Sequence, residues 1–441
     1  MSGIFSVTAS PYGATGNGTT DDTLGIQAAL DAAGAGGGCV FFPEGTYLLS
    51  LRTEGLLRYC LKVYPRVRLA GADRDRSILK LCAAAGDHYQ SILMGADPST
   101  NIAALVTDLS GLEIVDLTID CNGTNNAITP TSFRPENAGY DSREVLHVQS
   151  GNDILVQNCR ITDIGDSINT LFLCGENTTS SLQMRNITVR DNIFEGVGRV
   201  GNIIDHDHST IYTSSVGALI ADNHLSTSGQ SLRGAVAAIE THSLRTQVVR
   251  NTIENFIYGI VPTGISAANT VGVEIAHNTI RGVNFGIYIG SSRIADDQAG
   301  YGLRDVDIHH NQLEIDRDGW WPYRSPPAGP HGWVAGILLD FTSNLPTRDL
   351  SIHHNRIRFL PTSHPFSETD WNDAGICYHR PDTQVVDEDL SICDNEIDGA
   401  FADGIYFNAT AERVDISRNR VINAGNGVAS AQGLDRSLEG L

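Results

Sequence analysis

Lysine is nearly missing from this chain. Only Lys62 and Lys80 occur in 441 residues, so arginine supplies almost all of the positive charge. Acidic residues number 52 against 30 basic ones, a formal net charge of −22. That balance excludes a general nucleic-acid binder, because neutralising phosphates needs clustered Lys and Arg. It also weighs against a polyanionic ligand unless a local basic patch overrides it. Long hydrophobic runs are missing too: no stretch approaches the roughly 18 apolar residues of a membrane span. The eight cysteines (39, 60, 82, 121, 159, 174, 377 and 393) contain no CxxC pair, so neither a zinc nor a redox site is marked. Their place inside strand-like runs predicts buried free thiols. The opening Met-Ser-Gly-Ile-Phe-Ser-Val lacks the charged-then-apolar layout of a secretory leader. With the free thiols, this sets the expectation of a cytoplasmic or phage-associated protein.

What is present in excess is glycine, at 45 residues, which suits a fold with many tight turns, and a repeated phrase. From residue 154 the chain reads Ile-Leu-Val-Gln-Asn158-Cys-Arg-Ile. The pattern returns around Asn192, Asn223, Asn251, Asn278, Asn311, Asn355, Asn395 and Asn419, with Asp116 at the same place in an earlier copy. The spacing varies from 24 to 44 residues. A constant phrase at variable spacing predicts a stacked coil whose loops differ in length. The recurring Asn reads as structural: it tolerates left-handed backbone and bonds its own turn, so stacked copies form an internal ladder. The pairs His309-His310 and His353-His354 read the same way, and no residue is assigned to a metal.

Residues 5–14 read as a short strand ending in a turn. Thr20-Asp21-Asp22-Thr23 can cap a helix over Leu24–Ala33, with Ile26, Ala29, Leu30 and Ala33 on one face. Cys39 to Leu49 alternates as a strand with a turn at Pro43-Glu44-Gly45. Tyr12-Gly13-Ala14, Gly18, Thr20-Asp21-Asp22, Ile26-Gln27, Ala29, the Gly34–Gly38 run and Phe42 to Tyr47 resemble the N-terminal signature of the pectate-lyase-like superfamily. Leu69-Ala70-Gly71 with Ser77 to Leu81 resembles its next coil. The resemblance implies an all-β fold: a right-handed parallel β-helix with an N-terminal capping α-helix. It implies a single β-helix domain over 1–430, its cap within 1–50, and a tail at 431–441. It implies no reaction, because the fold carries lyases, hydrolases, epimerases and binding proteins.

Each coil has another strand that follows a small residue, as in Gly286-Ile-Tyr-Ile-Gly290 and Gly336-Ile-Leu-Leu-Asp340. Side chains alternate faces along a strand, so the first Ile packs inside and its successor points out. One outward row then reads Asp205, Glu240, Val261, Tyr288, Leu338, Cys377, Tyr406. A second reads Asp207, His242, Thr263, Gly290, Asp340, His379, Asn408. A one-residue slip at 203–208 would turn His206 and His208 outward instead. Coils stack at about 4.8 Å, which places Asp205 and Glu240 near the roughly 5–5.5 Å of a retaining glycosidase. Asp205 and Asp207, roughly 6.5–7 Å apart along the strand, leave the roughly 6.5–9.5 Å of an inverting one open. Crowded carboxylates push their pKa values apart, giving one acid and one base. Asp205, Asp207, Glu240 and His242 are therefore the candidate catalytic set, with His242 orienting or moving protons.

All four tryptophans fall in two coil insertions: Trp320, Trp321 and Trp333 in 317–334, and Trp371 in 361–374. Aromatic faces stack on sugar rings, so these, with Tyr288, Asp340, His379 and Arg233, are the candidate substrate-binding residues. The same insertions could instead serve a homotrimer interface. Among activities of the family, polygalacturonases carry an Asp pair that Gly165-Asp166-Ser167 breaks here, and their Gly-His-Gly and Arg-X-Lys are missing. Mannuronan epimerases carry Asp-Pro-His-Glu, which Glu240 to Ser243 and Asp205 to His208 resemble only in acid and His spacing. Hydrolysis or transfer of glycosidic bonds in an oligo- or polysaccharide is the favoured expectation, with no cofactor. A polysaccharide lyase or uronate epimerase is the alternative, and calcium enters only there. A non-catalytic, tailspike-like carbohydrate binder is the third.

Overall fold

The computed structural model describes residues 3–54, 57–83, 85, 89–95, 108–126, 143–165, 167, 169–174, 184–197, 208–227, 236–262, 270–290, 303–317, 333–341, 345–361, 372–380, 382, 384–400 and 402–430. The fold is a right-handed parallel β-helix. It divides into two compact units, Met1–Val236 and Ala237–Leu441.

In the first unit, successive coils lay down three sheets. The first holds Ile4–Ser6, Gly38–Phe42, Val67–Gly71, Glu113–Val115, Asn152–Gln157, Arg185–Arg190 and Val216–Ala221 in that order. The second runs from Asn17–Asp21 and Gly45–Leu49 to Ile193–Val197 and His224–Thr227. The third contains Leu57–Lys62, Ser91–Met94, Glu144–Val148, Asn169–Cys174 and His208–Ser214, with Arg52–Glu54 folded back antiparallel at one edge. The second unit repeats the plan. Its third sheet holds Val236–Thr241, Tyr258–Pro262, Phe285–Gly290, Trp333–Asp340, Asn372–His379, Asp403–Asn408 and Asn426–Ser430.

Register explains why these sequences fold this way. Val40, Leu69, Ile114 and Val156 are successive partners in the first sheet, and Val248, Ile275, Ile308, Ile352 and Ile392 do the same in the second unit. All are essentially inaccessible. Branched aliphatics suit the pleat, and burying each is worth about 1.5–3 kcal/mol. A one-residue slip would turn a whole row outward, so the repeat pins its own register.

The helix spans Thr23–Gly34 and buries Ile26, Ala29, Leu30 and Ala33, as the pattern predicted, together with Thr23 and Gln27. Its start differs from the expectation in detail. Asp22 makes no side-chain cap and accepts instead from the backbone of Thr15 and Gly16. Asp21 accepts the Thr23 N–H at 3.0 Å. The strand expected over 5–14 is only Ile4–Ser6 long, because the chain turns at once through Ala9 N–H to Ser6 and Tyr12 N–H to Ala9 bonds. All eight cysteines are free, but only 60, 121, 159 and 377 are buried; 39, 82, 174 and 393 are half-buried on strand faces or at strand ends.

The asparagine ladder is present and internal. Asn278 donates its Nδ2 to Asn311 at 2.9 Å, Asn311 to Asn355 at 2.9 Å, and Asn355 to Asn395 at 3.0 Å. Each also caps a backbone carbonyl, as Asn311 does at Ile275. At Asp116 and Asn158 the left-handed residue is the expected one, with φ of 59 and 50°; in later coils it lies one residue earlier, as at His277, His310, His354, Asp394 and Arg418, with φ between 54 and 58°. The turn residue takes the strain, and the Asn behind it turns its amide into the core.

Candidate functional site

The outer face of the third sheet in the second unit carries the predicted rows. Glu240 pairs with Val261, Tyr288 with Leu338, Leu338 with Cys377, and Cys377 with Tyr406. In the neighbouring row Gly290 pairs with Asp340, Asp340 with His379, and His379 with Asn408. The face is less open than strand alternation suggested. Val261, Leu338 and Cys377 are buried, so these three expected outward positions are covered on both sides of the sheet.

Two carboxylate–imidazole pairs stand on this face. Within one strand end, Glu240 Oε1 lies 2.9 Å from Nε2 of His242. Across adjacent strands, Asp340 Oδ1 lies 3.0 Å from Nδ1 of His379. Both imidazoles are largely buried. His379 is anchored by its successor: Arg380 is fully inaccessible and donates its Nε to Asp387 at 2.8 Å. The same carboxylate accepts the Tyr378 hydroxyl at 2.7 Å and the Thr347 N–H at 2.7 Å, while Phe341 covers the guanidinium at 4.6 Å.

Tyr288 sits between the two pairs. Its ring packs with Tyr258 at 5.6 Å and Phe285 at 6.1 Å. Burial first, and then the Asp340 charge and Tyr258, push its phenol well above the usual range, so it keeps its proton. Tyr406 closes the far side of His379, their rings 6.5 Å apart. Tyr288 stands one strand from Asp340 and two from His379, about 10 Å at the usual strand spacing, so a protonated phenol and a carboxylate-held imidazole can give and take protons on one bound sugar unit.

Of the residues the sequence singled out, the described structure brings together Glu240 with His242, and Asp340 with His379 and Tyr288. Asp205, Asp207, Arg233, Trp320, Trp321 and Trp371 lie outside the described residues, as does the alternative register at 203–207. Trp333 begins the strand Trp333–Asp340, and only its backbone is described. A third pair escaped the sequence reading. In the first unit Glu144 Oε2 lies 2.6 Å from Nδ1 of His147, both buried. His147 stacks on Phe172 at 4.8 Å, and Phe172 on Tyr212 at 5.5 Å. The signal was there in Leu-His-Val (146–148), Leu-Phe-Leu (171–173) and Ile-Tyr-Thr (211–213), each an inward residue followed by an aromatic one.

The comparisons agree with this architecture. The chain is 28% identical over 207 residues to mannuronan C5-epimerase AlgE2 of Azotobacter vinelandii, a segment covering 46% of this chain and 18% of that protein. It is 31% identical over 206 residues to alginate lyase 7 of the same organism, covering 46% and 21%. The matched segments thus span about a fifth of these relatives. Among solved structures, the tailspike protein of E. coli bacteriophage HK620, in complex with a pentasaccharide, superposes with a TM-score of 0.61 at 14% identity, over 97% of this chain and 80% of that one. A family profile described as rhamnogalacturonase A/epimerase, pectate lyase-like, matches residues 5–261, more than half of the chain and inclusive of Glu240 and His242. The chain therefore belongs to this pectate-lyase-like family of carbohydrate-active parallel β-helices.

Proposed function

We propose that this chain modifies a uronate-containing polysaccharide by abstracting the proton beside the sugar carboxyl, as a lyase or an epimerase. The observation that carries the reading is the Asp340–His379 pair beside a phenol held in its protonated form. The Asp340 carboxylate holds Nδ1 and orients the imidazole, and His379 takes the proton. Tyr288 supplies a proton, either to the departing glycosidic oxygen or to the opposite face of the ring carbon. The first course leaves an unsaturated uronate and the second inverts the centre. The relatives' names, a mannuronan epimerase and an alginate lyase, support the same class.

Hydrolysis, which the sequence favoured, needs paired carboxylates at about 5–9.5 Å. Glu240 and Asp340 stand three strand steps apart, about 14 Å at the usual strand spacing, and each is bonded to a histidine. That reading rests on Asp205 and Asp207. The same bonds make the described carboxylates a poor calcium cage, which needs about six to eight oxygens.

The test incubates purified protein with alginate, polygalacturonate and neutral glycans, following reducing ends, ultraviolet absorbance of unsaturated uronates and the proton spectrum of the product. Absorbance or inverted uronates, lost in Tyr288→Phe and His379→Gln, support the reading. New reducing ends without either would replace it with hydrolysis.

A further inference from the structure

Away from the third sheet, at the corner where the first sheet turns into the second, the second unit stacks five histidines. His309 and His353 end neighbouring strands in register, their rings parallel within 3° and 5.0 Å apart. His310 and His354 occupy the next, left-handed positions, parallel within 5° at 4.9 Å. His277 continues that second column onto His310 at 5.0 Å. Within each coil the two columns meet edge to edge: the Nδ1 atoms of His309 and His310 are 3.0 Å apart, and those of His353 and His354 are 2.9 Å apart.

Acidic side chains face the Nε2 atoms of the first column. Nε2 of His309 lies 3.4 Å from Glu274 and 3.9 Å from Asp307, and Nε2 of His353 lies 3.1 Å from Asp307. A carboxylate at Nε2 keeps the proton there and turns the Nδ1 lone pair towards the neighbouring imidazole, the arrangement that supports metal-bound histidines. Ligand nitrogens of His277, His309 and His310 also lie within 4.8 Å of one another.

We propose that this stack is a binding site for a divalent transition-metal cation, held through the facing Nδ1 atoms of His309–His310 and His353–His354. The separation selects the geometry. With metal–nitrogen bonds of about 2.0–2.1 Å, nitrogens 2.9–3.0 Å apart subtend about 90–95°. A tetrahedral ion would need them about 3.3–3.4 Å apart. A right-angled pair suits the tetragonal preference of Cu(II), then Ni(II), and Zn(II) least. The sequence left both His pairs as turn residues because a left-handed turn accepts His without needing a ligand. The structure adds the stacking, the facing nitrogens and the carboxylates behind them.

The test uses the full chain with any affinity tag removed, titrated with copper(II), nickel(II) and zinc(II) chlorides at neutral pH. Calorimetry and the copper electron paramagnetic resonance spectrum are the readouts. We expect saturation at one or two equivalents, an axial nitrogen-coordinated copper signal, and affinity in the order Cu(II), Ni(II), Zn(II). His310→Asn with His354→Asn keeps residues that tolerate the left-handed turn and lowers copper affinity at least tenfold, with the thermal midpoint unchanged. Each single variant moves affinity the same way, so poor folding of the double variant leaves the test intact. Absence of saturable binding, equal binding by the variants, or a preference for zinc would overturn the proposal. None of these readouts depends on polysaccharide turnover.

Discussion

Asp340 and His379 are 39 residues apart in sequence yet directly opposed on adjacent strands, with the carboxylate 3.0 Å from Nδ1 of the imidazole. One coil's length in sequence has become one strand spacing. Substituting His379→Gln removes the proposed base, and turnover is expected to fall about 10²–10⁴-fold. Asp340→Asn leaves the ring in place but replaces the carboxylate that orients it with a neutral amide, so turnover falls in the same direction with KM nearly unchanged. Steady-state kinetics on a uronate polymer, with thermal midpoints as the folding control, decide the matter. Full activity in Asp340→Asn would show that the pair is structural.

Salt gives an independent handle on the substrate. The net charge of −22 repels a polyanion at long range, but screening within about 8–10 Å at physiological ionic strength leaves local groups to decide. For a uronate polymer kcat/KM is therefore expected to rise several-fold between about 0.05 and 0.3 M salt, because association is repulsive. A neutral glycan would show a flat profile. A fall with salt would mean that a basic patch steers the substrate.

How much of this was legible depended on whether the signal was local. Ile239, Ile260, Ile287, Ile337 and Ile376 recur after small residues, and their partner positions follow from strand alternation alone. The rows holding Tyr288, Asp340 and His379 were readable for that reason. Their burial was not, because what covers Val261, Leu338 and Cys377 is set outside those strands. Glu144 and His147 stayed hidden because a separation of three places residues on opposite faces of a strand, yet their side chains meet near its start. The histidine corner was visible as pairs. Its stacking depended on which residue of the turn is left-handed.

The asparagine ladder makes a graded stability prediction. Asn311 is fully buried and links Asn278, Asn355 and Ile275. Replacing it with Ala leaves the N–H and Nδ2 of Asn278 without their acceptor, at about 1–3 kcal/mol for each buried group left unpaired. Asn419 accepts the same two bonds, from the N–H and Nδ2 of Asn395, and donates to Ile392 at 2.8 Å, but it is half-buried, so water can replace its oxygen. Asn419→Ala is expected to cost clearly less, and comparable thermal shifts would contradict a ladder read from its centre outwards.

The ion pair behind His379 predicts a non-additive cycle. Arg380 and Asp387 are both inaccessible. Asp387→Ala strands a buried guanidinium, at about 3–5 kcal/mol. Changing both, to Arg380→Met and Asp387→Leu, removes the orphan charge and is expected to cost less than the single change. Denaturant midpoints of the single and the double variant, set against the unchanged protein, check this. A double variant worse than Asp387→Ala would mean that the hydrogen bonds to Tyr378 and Thr347 matter more than the charge.

Alkaline pH offers a test on a residue of the first unit. Tyr47 is fully buried and its hydroxyl donates to Pro43 at 2.9 Å. Burial, with the Asp22 charge second, pushes its phenol up to about 12. The unfolded phenol titrates near 10, so folding favours the protonated form. Its contribution is whole below about pH 10, declines between about 10 and 12, and is lost above. Two units correspond to about 2.7 kcal/mol. Tyr47→Phe forfeits the hydrogen bond, about 1 kcal/mol, but has nothing to titrate. The variant should be the less stable protein at pH 8, and the difference should close and then reverse as pH rises through that window. A constant gap between the two denaturation curves would mean that the Tyr47 phenol ionises as freely in the folded chain as in the unfolded one.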